Sequence, residues 1–507
     1  MKNSYLTLSS AKDLKDPKER FIYKCFETLP ALLSWGTLFL VFILSWSAPV
    51  AAAVFIIIFS CLWLFRVLYL SFHQLVGFRM MKKNLAIDWL GKVKELADWQ
   101  DIYHLIVLPM YKEEVAIVRS SLQSLADSKY PKDRMIVVLA IEERGGQETQ
   151  KTAETVKNEF AGTFFRFAVV CHPQDIPGEM AGKGANVSWA VKQVKESMID
   201  GLAVPYENIV VSNFDIDTRP YPYYFAALTW HYLTVENSSR CSFQPIPIYN
   251  NNIWQAPAFS RVIATSGTFW QMMQQERPEQ LVTYSSHSMS FKALLEIGYP
   301  DNIVSDDSRI FWKCYLAYSG NYKAVPLYYP VSMDAVISEN LFKTAVNQYK
   351  QQRRWAWGCE NIPYVLYGFL KNKKIPLGER IRHSFIMLDG FWSWAVAALL
   401  IFFLGWLPLM VGGEEFKVSL LSYNLPRTTS VIMTIAMTGM MVSAILSMLL
   451  LPPQTKKSSW KKFSMLFQWL LLPVTLIVFG AFPALEAQIR LAGSKYLGFW
   501  VTEKVRK

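Results

Sequence analysis

Cysteine and histidine are scarce in this 507-residue chain, and neither is arranged as a metal site requires. The six cysteines are scattered without a Cys-x-x-Cys pair, and the six histidines show no ligand spacing. This argues against a zinc site and a disulfide framework, and it indicates a reducing compartment for the middle of the chain. The sequence also lacks the Gly-x-x-x-x-Gly-Lys-Ser/Thr pattern of a P-loop.

Acidic residues are outnumbered, because 52 Lys and Arg face 40 Asp and Glu and give a formal net charge of +12. A basic balance suits nucleic acid, anionic lipid or an anionic substrate. The basic residues cluster near predicted membrane boundaries, which favours lipid contact and argues against nucleic acid as a partner. With 52% hydrophobic residues, the chain is too apolar for an average soluble protein and too charged for a pure membrane bundle.

Long apolar runs lie near both ends of the chain and predict membrane-spanning helices. The runs are 29–46, 49–72, about 391–411, 428–451 and 464–482. Each can cross a hydrocarbon core about 30 Å thick. The basic segment 1–28 places the N-terminus in the cytoplasm. We therefore expect two transmembrane helices in 29–72 and about three in 386–482 of a cell-membrane protein, with the region between them cytoplasmic.

The last apolar run and the tail 483–507 contradict a simple alternation of spans. The loop 452–462 is lysine-rich and should be cytoplasmic, whereas 412–427 should lie outside. Five spans then leave a basic tail outside. Either the last run is broken or re-entrant at Pro473, or the tail crosses against the charge rule. The tail could also lie flat in the interface as an amphipathic helix.

The central region 73–385 alternates strand-like apolar runs with helical patterns. The strand-like runs are 101–109, 135–143, 165–171 and 208–217, and helices are predicted from about Glu113, Gln147 and Lys183. This alternation predicts a parallel sheet with crossover helices. Ligands of such sheets bind at the carboxyl ends of the strands, where Glu142, Glu143, Asp215 and Asp217 lie.

Two pairs of carboxylates are candidates for chemistry. Asp215 and Asp217 follow an apolar strand, and in an extended chain residues two apart face the same way. Such a pair can hold a hard divalent cation, Mg or Mn, although it could also be an Asp-rich turn. Asp306 and Asp307 form the second pair, and one of them could instead cap a helix beginning near Ser308.

Two further patterns suit phosphate and sugar. Gln351, Arg354 and Trp355 share one helix face, where Arg offers a fork of donors for phosphate and Trp a flat wall for a sugar or base. The alternative is a juxtamembrane patch that touches lipid headgroups. Lys183 lies in a Gly-Lys-Gly turn that opens a helix and resembles a phosphate cradle, unless it is only a flexible turn.

The order of these motifs along residues 100–358, with Gln-Gln-Arg-Arg-Trp at 351–355 as a full QxxRW match, resembles the family-2 glycosyltransferases of GT-A fold. The flanking helices resemble their membrane-embedded branch, which includes cellulose and hyaluronan synthases. The resemblance implies an α/β GT-A domain, Rossmann-like with a mostly parallel sheet, inserted between transmembrane helices. That domain would span 73–385 and end in interfacial helices.

The resemblance also implies roles for the residues that hold the donor. Glu142 or Glu143, where the family usually has Asp, would bind the uracil or ribose of a nucleotide sugar, with a UDP-sugar favoured. Asp215 and Asp217 would bind the metal and the diphosphate. Lys183 would contact the donor phosphates.

For the reaction itself, Asp307 would be the general base, with Asp306 replacing the usual Glu beside it. Gln351, Arg354 and Trp355 would line the acceptor site and hold the diphosphate. One base without a protein nucleophile implies direct displacement with inversion of the transferred hexose.

The predicted function is therefore metal-dependent sugar transfer to a growing glycan by a processive polysaccharide synthase. The alternative is addition of one sugar to a membrane lipid or short acceptor, with the same active site. A distant alternative is a transporter with a cytoplasmic regulatory domain, which predicts charges inside the membrane. The only acidic residue near a predicted span is Asp389, at its edge.

Overall fold

The computed structural model describes residues 4–452 and 465–500. Most of the lysine-rich loop predicted at 452–462 and the last part of the tail, 501–507, lie outside the described residues. The predicted sides of the membrane for these two segments therefore stay predictions.

The central region forms one eight-stranded sheet with the order β3-β2-β1-β4-β7-β6-β8-β5. The strands are β1 (Tyr103–Met110), β2 (Met135–Glu142), β3 (Arg166–His172), β4 (Ile209–Asn213), β5 (Arg219–Pro220), β6 (Cys241–Ile248), β7 (Ser288–Ser290) and β8 (Lys323–Ser332). Strands β3, β2, β1 and β4 pair in parallel, as do β6 and β8. The pairs β4–β7, β6–β7 and β5–β8 are antiparallel, so the sheet is mixed, and the prediction of a mostly parallel sheet holds for its first half.

Helices surround this sheet and flank it along the chain. They are α1 (Pro17–Ser47), α2 (Pro49–Leu85), α3 (Trp89–Val93), α4 (Val115–Ala126), α5 (Gly146–Phe160), α6 (Lys183–Val194), α7 (Tyr224–Thr234), α8 (Ala258–Gln275), α9 (Phe291–Ile297), α10 (Asp306–Ala317), α11 (Leu341–Ala356), α12 (Asn361–Lys371), α13 (Leu377–Phe402), α14 (Leu407–Val411), α15 (Glu414–Lys417), α16 (Leu420–Leu449), α17 (Leu472–Leu476) and α18 (Phe482–Ala492).

The alternation of side chains along β1 explains why helices cover both faces of the sheet. Ile106 and Leu108 enter a core that also contains side chains of α4, α5 and α7. Leu105 and Val107 point the other way, into a core shared with α6 and α10. Because β1 from Leu105 to Met110 and β2 from Met135 to Ile141 are continuously apolar, both faces of the sheet must be buried here.

Five helices among the described residues are long and apolar enough to cross a membrane. They are Pro17–Ser47, Pro49–Leu85, Leu377–Phe402, Leu420–Leu449 and the stretch Met465–Ala492. The first begins well before its apolar run and the second ends well after its own, because polar turns continue the same helices. Proline at the first position of α2 is favourable, since that position needs no backbone donor.

The stretch Met465–Ala492, which contains the last predicted span, is an irregular helix. A 3-10 turn at Gln468–Leu471 and a π turn at Ile477–Ala481 interrupt it. Gln468 accepts a hydrogen bond from Arg261 of α8, at 2.6 Å from Arg261 Nε. Near its other end, α18 forms an ion pair with α11 of the central region. Both ends thus contact the central region, which is what a broken or re-entrant segment would produce.

Asp389, the acidic residue noted at the edge of a predicted span, has a cation opposite it. Arg66 of α2 donates to Asp389 of α13 at 2.8 Å and to Ser393 at 2.6 Å. The pair ties two candidate membrane helices together. It therefore has a structural explanation that does not need a transport pathway.

Candidate active site

Lys183, the first residue of α6, joins two of the carboxylate motifs. Its ammonium nitrogen lies 2.6 Å from Asp215 Oδ1 and 2.8 Å from Asp307 Oδ1, and the residue is only 7% exposed. Burial alone would lower the pKa of Lys183, but the carboxylates of Asp215 and Asp307 outweigh it and raise that pKa. Three motifs far apart in the sequence therefore meet at one buried cation, and we call this place the carboxylate cleft.

Glycine is required beside Lys183 because α6 begins in close contact with its neighbours. A Cβ on Gly184 would collide with the carbonyl oxygen of Pro300 and would lie 3.2 Å from Asp306 Cβ. The Gly-Lys-Gly turn is therefore a packing feature that brings α6 against the start of α10. This close approach places the Lys183 ammonium next to the carboxylates.

Asp215 and Asp217 do not lie side by side on a strand, so that prediction is wrong. Strand β4 ends at Asn213, and the chain turns, with the Thr218 amide donating to the Asp215 carbonyl at 2.8 Å. The Asp215 side chain faces the cleft and accepts a hydrogen bond from Ser285. Asp217 is fully buried, and its Oδ2 accepts from the Asp334 amide at 2.8 Å. A turn has no two-residue repeat, which explains the difference.

Asp306 and Asp307 occupy the first turn of α10, which begins two residues earlier than the predicted start at Ser308. Asp307 is partly exposed in the cleft, and Thr283 donates to its carbonyl at 2.6 Å. Asp306 is 2% exposed, and the Tyr299 hydroxyl donates to it at 3.1 Å. Burial, together with the charge of Asp307, raises the pKa of Asp306 to about 8. Asp307 is therefore accessible from the cleft, whereas Asp306 lies behind it, where burial favours its protonated form.

Asp306→Asn should remove a pH dependence of stability. With a folded pKa of about 8, Asp306 keeps a proton that the unfolded chain releases above about pH 4, so wild-type stability falls as pH rises through this window. The apparent Tm of the variant, relative to the wild type, should rise from pH 5 to 8 and then level off. Thermal unfolding of the purified chain across pH 5–9 checks this, and a constant Tm difference would contradict it.

Arg354 and Trp355 of α11 form another wall of the cleft. Arg354 Nε is buried and has no hydrogen-bond partner among residues 4–452 and 465–500. The Trp355 ring lies 6.1 Å from that of Tyr249. Burial, together with the charges of Asp215 and Asp217, raises the pKa of Tyr249. A buried guanidinium nitrogen without a partner is costly, and a phosphate oxygen would satisfy it.

Gln351, on the same helix, has a different environment. Its Oε1 accepts from Gln348 Nε2 at 3.1 Å, and Gln348 in turn accepts from Ser260 of α8. Arg354 and Trp355 therefore lie at the cleft with Tyr249, whereas Gln351 contacts α8 through Gln348.

Glu142 and Glu143 separate at the end of β2. Glu142 is buried and forms an ion pair with Arg144, whose Cζ lies 4.4 Å above the Tyr111 ring. Glu143 accepts from the Gln174 amide at 3.0 Å. Arg144 Nη2 is buried without a partner among the described residues. Glu142 with Arg144 and Tyr111 is therefore the better candidate for holding a nucleoside.

The sequence analysis missed Phe499, which closes one side of the cleft. Helix α18 ends at Ala492, and residues 495–500 then run without regular structure. The Phe499 ring lies 5.2 Å from Arg354 Cζ, and a Cβ on Gly182 would come within 2.7 Å of Phe499 Cβ. The only local signal is the aromatic pair at 499–500 after an amphipathic helix, and nothing in it specifies a partner 317 positions earlier.

The expected metal ion has a partial set of ligands. Within the described parts of the chain, no group of three His, Cys, Asp or Glu side chains could hold a metal ion. Mg²⁺ at nucleotide sites is commonly held by one or two carboxylates together with the phosphates of the substrate. Asp215, whose carboxylate faces the cleft, fits this second kind of site with Mg²⁺ or Mn²⁺, whereas Asp217 is fully buried and accepts from the Asp334 amide.

No protein-family model and no curated protein matches the chain. Among solved structures, it is similar to the mannosyltransferase PcManGT from Pyrobaculum calidifontis in complex with GDP-Man and Mn2+, at 13% identity over 84% of this chain and 98% of that chain, with a TM-score of 0.40. It is also similar to S. aureus TarS 1-349 in complex with UDP-GlcNAc, at 12% identity over 78% and 91%, with a TM-score of 0.37. Similarity this low carries no argument about fold or activity, so function must be argued from the cleft.

Proposed function

We propose that the chain is a membrane-embedded, inverting glycosyltransferase that moves a sugar from a nucleoside diphosphate sugar to a growing glycan. The observation that carries the proposal is the buried Lys183 ammonium between Asp215 and Asp307. It unites a phosphate-binding cation, a candidate metal ligand and a candidate base in one cleft. The arrangement suits a reaction in which a diphosphate leaves while a hydroxyl loses its proton.

Asp307 is the base in this mechanism. Its carboxylate is partly exposed, whereas its neighbour Asp306 is buried and neutral. Asp307 takes the proton from the acceptor hydroxyl as the oxygen attacks the anomeric carbon. Because the residues of the cleft supply no second nucleophile in this scheme, the displacement is direct and inverts the configuration.

Lys183 and Arg354 hold the leaving diphosphate. Both are cations at the cleft, and Arg354 presents a buried nitrogen without a partner among the described residues. Developing negative charge on the leaving group is stabilised by such preplaced donors. A bound Mg²⁺ or Mn²⁺, held by Asp215 and by the phosphates of the donor, would neutralise further diphosphate charge.

The acceptor enters beside Trp355 and Tyr249, whose rings lie 6.1 Å apart. Flat aromatic faces suit the apolar face of a sugar ring, and α11 itself contacts the membrane-associated stretch through α18. This position favours a glycan that leaves toward the membrane, as in a processive synthase. We propose a UDP-sugar as donor, with its uracil bound beside Glu142, Arg144 and Tyr111.

The test is sugar transfer by the purified full-length chain in lipid nanodiscs. A panel of labelled nucleotide sugars is supplied with Mg²⁺ or Mn²⁺, and products are separated by size and by solvent extraction. Asp215→Ala should abolish transfer. Asp200→Ala, at an exposed position six residues after the end of α6, is the matched control and should retain it.

High-molecular-weight product that depends on Asp215 supports the processive synthase and identifies the donor. Small, lipid-extractable product would instead establish single addition by the same cleft. Absence of transfer from every donor, with the chain folded and acceptors supplied, would overturn the proposal.

A further inference from the structure

A large groove opens between three of the candidate membrane helices, away from the carboxylate cleft. Its volume is about 1090 Å³. The side chains that line it come from α1, from α13 with the turn after it, and from α18 with the residues that follow. Most are apolar, and the charged ones are Glu486, Arg490 and Lys495. We call this space the lateral groove.

The charged groups gather at one end of the lateral groove, on the side of the central region. Lys24 of α1 donates to the Leu491 carbonyl at 3.3 Å and to Ser494 at 2.6 Å, which aligns the start of α1 with the end of α18. Trp35, the first groove residue of α1, lies about 16 Å further along that helix at 1.5 Å per residue. The groove therefore runs from a charged end near the membrane surface into an apolar interior.

The charges at that end do not cancel. Glu486 is shared by two cations, with Arg353 Nη1 at 2.6 Å and Arg490 Nε at 2.7 Å. Lys495 adds a third cation at the rim. Among the residues that line the groove, Arg490 and Lys495 against Glu486 leave an excess of one positive charge. Arg353 of α11 adds a cation beside Glu486, and the nearby Lys24 is balanced by Glu27. A membrane lipid would place its headgroup at such a positive end.

The same charged end of the lateral groove contacts α11, the helix that carries Arg354 of the carboxylate cleft. Besides the Arg353 ion pair, the Tyr349 hydroxyl donates to Glu486 Oε2 at 2.9 Å. Arg353 and Tyr349 both belong to α11, and Arg353 immediately precedes Arg354 of the carboxylate cleft. An occupant that binds Arg490 would alter the charge that Glu486 shares with α11.

We propose that the lateral groove binds an anionic membrane phospholipid. Its phosphate lies against Arg490 and Lys495, and an acyl chain runs along Trp35, Leu38 and Leu485. The positive end of the groove attracts the phosphate. The long apolar lining favours a lipid over a free anion as the occupant. This inference goes beyond the proposed function and does not depend on the transfer chemistry.

The test is native mass spectrometry of the full-length chain, titrated with phosphatidylglycerol or phosphatidylcholine. Phosphatidylglycerol should bind more tightly than phosphatidylcholine. The double variant Arg490→Gln with Lys495→Gln should raise the Kd for phosphatidylglycerol about thirtyfold, since each basic residue near a lipid surface contributes about fivefold to the affinity. The matched control is Lys82→Gln with Lys83→Gln, two exposed lysines at the end of α2. Unchanged phosphatidylglycerol binding in the groove double variant would overturn the proposal.

A second variant tests the apolar part without changing any charge. Leu38→Trp should fill the groove and weaken phosphatidylglycerol binding, while an unchanged Tm shows that the chain still folds. Glycerol phosphate in excess should not displace the lipid. Displacement by glycerol phosphate, or full lipid binding by the filled groove, would show that only an ion site or a nonspecific surface is present.

Discussion

Asp307→Asn should lower kcat for sugar transfer by about 10²–10⁴-fold, the usual contribution of a general base. The amide keeps the size of the side chain and the hydrogen bond from Thr283 to the main chain, but it cannot take a proton from the acceptor hydroxyl. The KM for the donor should change little, because a base acts mainly in the transition state. Steady-state kinetics with the donor identified by the panel measures both constants.

The adjacent Asp306→Asn is the matched control for this result. Asp306 is buried and neutral, with a pKa raised to about 8 by burial and by Asp307, so an amide imitates its state near neutral pH. Its kcat should fall far less than that of Asp307→Asn. If the two variants lose activity equally, or if Asp307→Asn transfers sugar normally, Asp307 is not the base.

The sequence predicted those parts of the fold that depend on local pattern. The strand-like runs 101–109 and 135–143 predicted β1 and β2 to within two residues at each end, because strands buried on both faces are largely apolar. The Gln-Gln-Arg-Arg-Trp helix was also predicted, since it rests on a 3.6-residue repeat. The mixed second half of the sheet was not, because β7 is only three residues long and its pairing is non-local.

The site was predictable as a set of residues, but its geometry was not. Lys183, Asp215 and Asp307 were each candidates from chemistry alone, yet their meeting depends on the close packing of Gly184 against Pro300. The burial of Asp217 depends on the backbone amide of Asp334, more than 100 residues away. Such contacts are set by tertiary packing, for which the local sequence carries no periodic signal.

Lys183→Met should have the largest combined effect on stability and transfer. The ammonium is buried between Asp215 and Asp307, and removing one partner of a buried ion pair costs about 3–5 kcal/mol because the remaining charge is left uncompensated. Transfer should be lost as well, since the diphosphate loses a cation. Thermal unfolding and the transfer assay on the same preparation measure the two effects. Lys192→Met, on the exposed face of α6, is the control and should change neither.

The stability loss should depend on pH in a way that identifies its cause. In Lys183→Met, Asp215 and Asp307 lose the cation between them. Protonation of a carboxylate removes the charge that this cation balanced, so the Tm deficit should shrink as pH falls toward 5. Adding Asp215→Asn should restore part of the Tm but none of the transfer. The amide removes the negative charge that Lys183 balanced, but it does not replace the cation that binds the diphosphate. A deficit that is independent of pH and unrelieved by Asp215→Asn would mean that Lys183 acts through packing of its methylene chain, and the electrostatic account of the cleft would fail.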